Sequence, residues 1–510
     1  MPITSNKLIA KNTTFLYVRM LFIMAVSLYT SRVVLKVLGV EDFGIYNVVG
    51  GVVTVFNFLK GSMSAGTSRF LTIALGKDDH SKLKEVFSAT LSLHIAIALT
   101  IFVLAETIGL WFVSTRLVIP AERMVAAQWI YQFSILSVII SITQVPYDAT
   151  IIAHERMNIY AYVSMIDILL RLLAAYMLNL FILDKLKLYG VLIFSITLIV
   201  AIIYRIYCKI KFKECTYHFH WNSKLFIELA KFSSWSLLSS FAWMLTTQGS
   251  NILLNLFFGP VVNAARAIAV QVNTAVSSFV DNFLLAVKPQ IFKSYANNDR
   301  VRMHSLALYS AKYSFFILYI LILPIILETH LILTIWLKEV PDNTVIFVQL
   351  MLVYSLIQTI DAAFVVVLQA TNKIKENAIW AFTLGTLAII VAYILFTYGY
   401  EPKSIFYILI FNAFLFSFGI KPFLLKKFSG LKLKDFVLIT VIPVAKVAFV
   451  SSIIPTLISV YLPEGLKRFL LVCMTSLITI GISVLFLGIS KIQRRKLYDF
   501  FVEKIRFLNK

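Results

Sequence analysis

Residues 38–76 read LGVEDFGIYNVVGGVVTVFNFLKGSMSAGTSRFLTIALG and decide how the rest of the chain is interpreted. They join the end of one apolar segment to a second one that is interrupted by glycines. Lys60 and Arg69 lie in the second segment, on either side of a run of small and hydroxylated residues. An ionisable side chain at membrane depth is costly and normally faces a partner or a water-filled cavity. The stretch therefore indicates a membrane cavity with a basic lining. The alternative is a plain helix–helix contact, in which Lys60 snorkels or pairs with a carboxylate.

The composition is that of a membrane protein with many spans. Hydrophobic residues make up 60% of the chain and charged residues only 14%, whereas soluble domains carry about 25% charged residues. The net charge of +22 lies mostly in short loops, so membrane topology explains it better than nucleic-acid binding does. Three cysteines provide no disulfide framework. The N-terminal apolar run shows no cleavage site, so the first span is expected to stay in the mature protein.

A membrane-spanning helix needs about 20 mostly apolar residues. Fourteen runs satisfy this requirement, and they lie at 14–38, 43–75, 86–114, 124–150, 159–183, 189–208, 232–257, 262–292, 305–327, 343–370, 377–398, 404–425, 436–460 and 467–490. The loops on the side of the two termini hold 27 Lys and Arg residues. The opposite loops hold 9 when Lys36, Lys467 and Arg468, at the outer ends of their spans, are counted with them. The positive-inside rule therefore places both termini in the cytoplasm.

The spans themselves are also basic, with 11 Lys and Arg residues against 5 acidic ones. Some of these cations are expected to snorkel to the cytoplasmic interface, namely Arg19, Arg205, Lys312 and Lys421. Asp167 and Arg171 lie four residues apart on one predicted helix, a spacing typical of a structural ion pair.

A shift of 220 residues aligns the chain with itself, mainly by hydropathy and loop position. Gly39 then aligns with Gly259, at the external turn before a long span in each half. We predict an all-α integral membrane protein with about 14 transmembrane helices, in which two six-helix lobes share one orientation and two further helices follow. The predicted domains are 1–208, a cytoplasmic linker 209–231, a second lobe 232–425, two extra helices in 426–490 and a basic cytoplasmic tail 491–510. The alternative is that the repeat reflects only the duplication of a helical scaffold, which could occur in a protein of any function.

The segment Leu38-Gly-Val-Glu-Asp-Phe-Gly-Ile-Tyr46 resembles the opening of Wzx-type polysaccharide flippases of the multidrug/oligosaccharidyl-lipid/polysaccharide exporter superfamily. Two further segments, 145–156 and 367–373, also resemble that family. The resemblance implies that spans 1, 2, 7 and 8 line a central cavity. It further implies transport of a polyprenyl-diphosphate-linked oligosaccharide from the cytoplasmic to the outer leaflet of the bacterial inner membrane, for O-antigen, capsule or exopolysaccharide assembly. Candidate protein partners are then a polysaccharide polymerase and the chain-length machinery.

An anionic diphosphate requires a wet, positive path, and arginine can donate two parallel hydrogen bonds to it. The predicted substrate-binding residues are the basic groups at membrane depth, namely Arg32, Lys60, Arg69, Arg266 and Lys288. Carboxylates in such a cavity can bind a proton or sodium, so Asp281 and Asp361 are predicted to couple transport to an ion. The alternative for Asp281 is that it neutralises a neighbouring base.

Enzyme chemistry finds no support, since the chain contains no Walker loop, no HExxH motif and no nucleophile elbow. Cys208, Cys215, His218 and His220 match no zinc spacing, and neither a metal nor a cofactor is predicted. Two alternatives of the same superfamily stay open. One is a cation or drug exporter, which would favour acidic cavity groups, and the other is a flippase for the peptidoglycan lipid precursor.

Overall fold

The computed structural model describes residues 3–54, 67, 71, 75, 80–154, 156–181, 183–217, 223–371, 373–490 and 494–495. Over this part of the chain all regular structure is helical, which confirms the predicted all-α class. The α-helices, in chain order, are α1 Ile3–Thr54, α2 His80–Leu104, α3 Leu110–Thr115, α4 Met124–Ala153, α5 Met157–Met177, α6 Lys185–Lys211, α7 Ser223–Phe258, α8 Pro260–Ala296, α9 Arg300–Leu327, α10 Thr329–Leu337, α11 Thr344–Ala370, α12 Ile374–Thr397, α13 Ser404–Phe414, α14 Lys421–Ser429, α15 Leu433–Phe436, α16 Ile442–Tyr461 and α17 Leu466–Ser483.

Short segments of a different pitch join several of these helices without a break. The tight 3₁₀ turn Ala121–Arg123 precedes α4, and wider π-helical segments lie at Ala105–Gly109, Leu415–Ile420, Val437–Val441 and Val484–Gly488. In a membrane such irregular turns are tolerated because neighbouring groups satisfy the backbone. The π-helical segment Leu415–Ile420 directly precedes Lys421.

Ten helices are long and apolar enough to cross a membrane among the residues that the structure describes. One of them, Met20–Val53, contains residues 20–38 of the first predicted span and the start of the second. The predicted fifth, seventh and eighth spans coincide with α5, α7 and α8, which fall outside the ten. α8 is rich in amides and also carries Arg266 and Asp281, so its polarity is that of a helix shielded from lipid. The number fourteen stays a prediction.

Contacts divide the chain into two units. The first comprises Met1–Ile268, Pro341–Asn343 and Ala378–Ile405, and the second comprises Ala269–Val340, Thr344–Asn377 and Phe406–Lys510. These units differ from the lobes of the predicted repeat, whose boundaries stay a prediction.

Two apolar clusters form much of the core of the first unit. The Ile135 cluster joins buried residues of α1, α2 and α4, including Val49, Ala98 and Ile142. The Tyr204 cluster joins α2, α4, α5 and α6, and it includes Phe87, Leu91, Ile151 and Cys208. Together they hold α2, α4 and α6 side by side.

In the second unit, the two helices that follow the predicted lobes pack on α9. Arg468 at the start of α17 donates to both oxygens of the fully buried Glu328 carboxylate, at 2.8 and 2.9 Å. Tyr319 Oη of α9 donates to Ala448 O of α16 at 2.9 Å. At the other end of α17, Lys312 Nζ of α9 donates to Gly488 O at 2.8 Å. Buried polar contacts therefore fix both ends of the C-terminal helix pair.

Candidate functional site

The motif 38–46 forms a kinked turn inside α1. Gly39 interrupts the helix with φ 82° and ψ 168°, a conformation that is essentially restricted to glycine. Gly259, its partner in the predicted repeat, separates α7 from α8 and also has a positive φ, of 80°. The two positions that the repeat aligns thus share an unusual backbone, which supports the repeat.

The turn after Gly39 is packed directly against the start of α8. A Cβ atom on Gly44 would clash with the carbonyl of Pro260. One helical turn later, Asn251 Nδ2 of α7 donates to Asn47 O at 3.2 Å. The end of the first span, the start of the second and the spans predicted as seven and eight therefore meet within the first unit.

A set of asparagines continues this contact. Asn263 Nδ2 of α8 donates to the backbone oxygen of Asn251 at 2.7 Å and to its side-chain oxygen at 2.8 Å. Asn255 accepts from the backbone N–H of Val118 at 2.9 Å. All three asparagines are buried. Amide hydrogen bonds thus join α1, α7 and α8 near the kink at Gly39.

The predicted substrate-binding residues differ in their burial and in the unit to which they belong. Arg266 is buried on α8 and donates from Nη2 to Thr247 O at 2.6 Å. Arg32 is half-buried on α1 in the same unit. Lys288 belongs to the second unit, where it is exposed and lies 6.0 Å from the centre of the Phe292 ring. Lys60 and Arg69 lie outside the described residues. The substrate-binding set therefore stays a prediction.

The two carboxylates predicted to couple transport to an ion differ in their surroundings. Asp281 is exposed on α8. Asp361 is buried on α11 and forms an ion pair with Lys421 Nζ at 2.6 Å. The ammonium also lies 4.6 Å from the centre of the Phe416 ring, in the π-helical segment before α14. Asp361 is thus already paired with a cation supplied by the chain.

Two predicted snorkelling lysines are buried instead. Lys421 and Lys312 are each only 3% exposed. Lys312 Nζ lies 4.9 and 5.2 Å from the centres of the Tyr309 and Tyr313 rings, and it donates to Gly488 O. The snorkelling prediction is wrong for both, because their partners come from distant parts of the chain and are invisible to a local hydropathy count.

The pair Asp167–Arg171 is confirmed, with Nε of the arginine 3.1 Å from both carboxylate oxygens. Sequence reasoning missed a larger cluster around Arg123, next to the kinked turn of α1. Arg123 donates from Nε and Nη2 to the two oxygens of Asp42, at 2.8 and 2.5 Å. Its Nη1 donates to Asp184 at 2.9 Å. The position of Asp42 inside the motif 38–46 was the one signal that pointed to it.

Asp184 also caps the start of α6, where Oδ1 accepts from the backbone N–H groups of Leu186 and Lys187 at 3.0 and 3.2 Å. Partial burial opposes ionisation of this carboxyl. The hydrogen bonds from Lys187 N–H and from Arg123 outweigh it and lower the pKa of Asp184 below its ordinary value. The carboxylate is therefore favoured, and it links the start of α6 to Arg123.

A family model described as "Polysaccharide biosynthesis protein" matches residues 9–295. No curated protein sequence matches the chain. Among solved structures, the lipid II flippase MurJ in an inward closed conformation has a TM-score of 0.67 at 13% identity, covering 94% of this chain and 99% of that one. An inward-facing multidrug resistance MATE family transporter of the MOP superfamily has a TM-score of 0.63 at 12% identity, covering 82% and 96%. A MOP superfamily transporter from Pyrococcus furiosus, with a binding pocket of reverse polarity, has a TM-score of 0.61 at 12% identity, covering 83% and 96%.

Proposed function

The chain belongs to the family of polysaccharide biosynthesis proteins, and from this premise we propose that it is the flippase of a surface polysaccharide pathway. Its cargo is a polyprenyl-diphosphate-linked oligosaccharide, which it moves from the cytoplasmic to the outer leaflet of the inner membrane by alternating access. Family membership is the observation that carries this proposal. The fold shared with the lipid II flippase supports it, because lipid II flipping is transport of a lipid-linked headgroup.

The charges at membrane depth support the same cargo. Within the predicted spans basic residues outnumber acidic ones by 11 to 5, which suits an anionic headgroup. Arg266 supplies one such charge from the polar helix α8, and Arg32 supplies another from α1. Asp361 would be the natural contact for a cationic drug, but it is neutralised by Lys421. This pairing weakens the case for a cation or drug exporter.

In the experiment, the gene is deleted in its host. The deletion strain is then complemented with the wild-type gene or with one of the variants Lys60→Ala, Arg69→Ala and Arg266→Ala. The matched control is Arg116→Ala, an exposed arginine at the end of α3. Loss of one charge-assisted contact of about 1.5–3 kcal/mol should reduce surface polysaccharide roughly tenfold or more, while the control stays at the wild-type level. Lipid-linked oligosaccharide should accumulate in the deletion strain.

The other outcomes separate the alternatives. Accumulation of the lipid-linked peptidoglycan precursor instead would assign the peptidoglycan pathway. Unchanged lipid and glycan pools, with increased sensitivity to cationic drugs, would assign the exporter. Full rescue by all three variants would keep the flippase and reject the basic site.

A further inference from the structure

Two lysine side chains from separate parts of the second unit converge on one aromatic ring. Lys427 lies in the last turn of α14, and its Nζ is 5.3 Å from the centre of the Phe428 ring. Lys373 lies directly before α12, and its Nζ is 5.7 Å from the same ring centre. The two nitrogen atoms cannot be further apart than these two distances together. Two positive charges therefore share one small part of the surface.

Hydrogen bonds fix the end of α14 that carries the ring. Ser429 follows Phe428 and is buried, and its Oγ donates to Leu425 O at 2.7 Å. Because the hydroxyl hydrogen is used in this way, Ser429 Oγ accepts from Nε2 of His304 in α9, at 3.0 Å. Gly430 then ends the helix in the left-handed conformation, with φ 80°. The ring that the two lysines share is thus part of a fixed surface.

The charge of this surface is not balanced by acidic groups. Residues 371–376 and 426–435 together hold six lysines, against Glu376 and Asp435. Among the residues that the structure describes, Lys373 and Lys427 form no ion pair with a carboxylate. Both lysines are exposed. Their ammonium groups are therefore open to an anion from outside the chain.

Two general effects explain part of this excess of lysines. Cations in the last turn of a helix interact favourably with its dipole, which accounts for Lys426 and Lys427. The positive-inside rule accounts for many basic residues in cytoplasmic loops. Neither effect brings Lys373 to the ring that Lys427 already contacts, because like charges repel each other. An anion bound by both ammonium groups would remove this repulsion.

An apolar surface adjoins the two lysines on the side of the predicted span 404–425. Phe423 lies four residues before Lys427, on the same face of α14, and is 58% exposed. Phe411 and Phe414 on α13 are exposed as well. Large apolar side chains that are exposed on a membrane span face the acyl chains of lipids. The lysines follow the end of this span, at the level of the lipid headgroups.

We propose that Lys373 and Lys427 bind the headgroup of an anionic phospholipid in the leaflet that the positive-inside rule places at the cytoplasm. Both ammonium groups donate to oxygens of the lipid phosphate, and the Phe428 ring holds the two lysine side chains together. An acyl chain of the same lipid lies along Phe423. This apolar contact assigns the site to a lipid, since a soluble phosphate ion would have no use for it. Basic groups at the cytoplasmic ends of spans are typical of such sites.

The experiment is native mass spectrometry of the full-length protein in detergent, titrated with phosphatidylglycerol, which is anionic, or with phosphatidylcholine, which is zwitterionic. The affinity for the most tightly bound phosphatidylglycerol is compared between variants. Lys373→Ala should lower this affinity about fivefold, and the double variant Lys373→Ala/Lys427→Ala roughly thirtyfold, since each basic residue near anionic lipid contributes one such factor. The binding of phosphatidylcholine should not change in either variant.

Lys209→Ala/Lys211→Ala is the matched control. It removes the same charge from two exposed lysines that also lie in the last turn of a helix, α6, and it should leave the affinity for phosphatidylglycerol unchanged. Lys427→Arg keeps the positive charge and should retain binding. Without lipid, all these variants should unfold at the wild-type temperature, because exposed side chains contribute little to stability. A loss of binding is then not a loss of the fold.

An unchanged affinity in the double variant, or an equal loss in the control, would overturn the proposal and reduce the two lysines to general surface charge. Glycerol phosphate, which has the phosphate but no acyl chain, should not displace the lipid, and Phe423→Ser should weaken lipid binding severalfold. Displacement by glycerol phosphate, without an effect of Phe423→Ser, would assign the site to a soluble anion instead. Lipid binding is measured without any cargo, so either result leaves the proposed flippase function untouched.

Discussion

At the residue scale, the ammonium of Lys421 and the carboxylate of Asp361 can both be buried because they are in contact with each other. Lys421 and Asp361 are both almost inaccessible and lie 2.6 Å apart, so each cancels the desolvated charge of the other. Removing one partner of such a pair leaves an uncompensated charge, whereas replacing both by apolar side chains is often neutral. This asymmetry distinguishes a structural pair from an ion-coupling carboxylate.

Lys421→Leu should therefore destabilise the protein by about 3–5 kcal/mol, and the double variant Asp361→Leu/Lys421→Leu should recover most of that loss. The measurement is thermal unfolding of the purified protein in detergent, with polysaccharide export of the complemented deletion strain alongside. If the double variant is stable and exports normally, the pair is structural. A stable double variant without export would instead assign Asp361 to ion coupling.

Asp184 makes the stability of the cluster around Arg123 depend on pH. Because its pKa in the folded protein is below the ordinary value, its contribution to stability is complete above the unfolded pKa of about 3.9. That contribution is lost as the pH falls through the lower folded pKa. Asp184→Asn should cost roughly 0.5–1 kcal/mol at neutral pH and should remove part of the stability loss below about pH 4.

Thermal unfolding between pH 3 and 7 measures this change. Asp342→Asn, at an exposed position in the turn before α11, is the matched control and should leave the profile unchanged. An Asp184→Asn profile parallel to that of wild type would assign the acid sensitivity to other groups.

At the scale of the element, the motif 38–46 is a joint between helices. Gly39 makes the kink, Asp42 attaches it to Arg123, and Gly44 lets the start of α8 approach. Gly44→Ala forces a Cβ atom onto the carbonyl of Pro260, and neither backbone can yield easily. A shift of packed backbone costs about 1–3 kcal/mol.

We expect Gly44→Ala to lower both the unfolding temperature and polysaccharide export. Gly50→Ala is the matched control on the same helix, since its Cβ atom would meet nothing closer than Ser134 Oγ at 4.0 Å. Equal behaviour of the two variants would show that the close approach does not matter.

The C-terminal helix pair offers a second joint. Arg468→Ala would leave the Glu328 carboxylate buried without its bidentate partner, which should cost about 3–5 kcal/mol. Lys467→Ala, one residue earlier and exposed, should cost less than 0.5 kcal/mol. Thermal unfolding of the two variants compares them directly, and a similar loss in both would mean that α17 is held by apolar packing alone.

Hydropathy could predict where the helices lie because a bilayer demands long apolar runs with satisfied backbones. It could also predict Asp167–Arg171, because four residues of one helix set the spacing. It failed for Lys312, Lys421 and the Asp42–Arg123 contact, whose partners lie far away in sequence. Contacts between residues that are distant in sequence could not be predicted from hydropathy.

At the scale of the whole molecule, the prediction to be tested is which helices cross the membrane. The positive-inside prediction requires every predicted span to cross, including those at α5 and α8, which are not among the ten helices found in the described part of the chain. α8 is the more polar of the two, because it carries Arg266, Asp281 and several amide side chains. Polar helices are tolerated in a bilayer only where protein or water covers them. If α5 and α8 cross, the residues flanking each of them must lie on opposite sides.

Single cysteines test this directly in a variant whose Cys208, Cys215 and Cys473 are replaced by alanine. Arg156 and Leu183 flank α5. Val261 lies at the start of α8, and Arg300 follows the end of α8 as the first residue of α9. All four are exposed. A membrane-impermeant maleimide should label Leu183→Cys and Val261→Cys in intact spheroplasts. It should label Arg156→Cys and Arg300→Cys only after permeabilisation, because the positive-inside rule predicts that the basic loops face the cytoplasm. Labelling of both flanks of one helix from the same side would remove that helix from the spans. It would also break the equal orientation of the two predicted lobes, which requires an even number of spans in each.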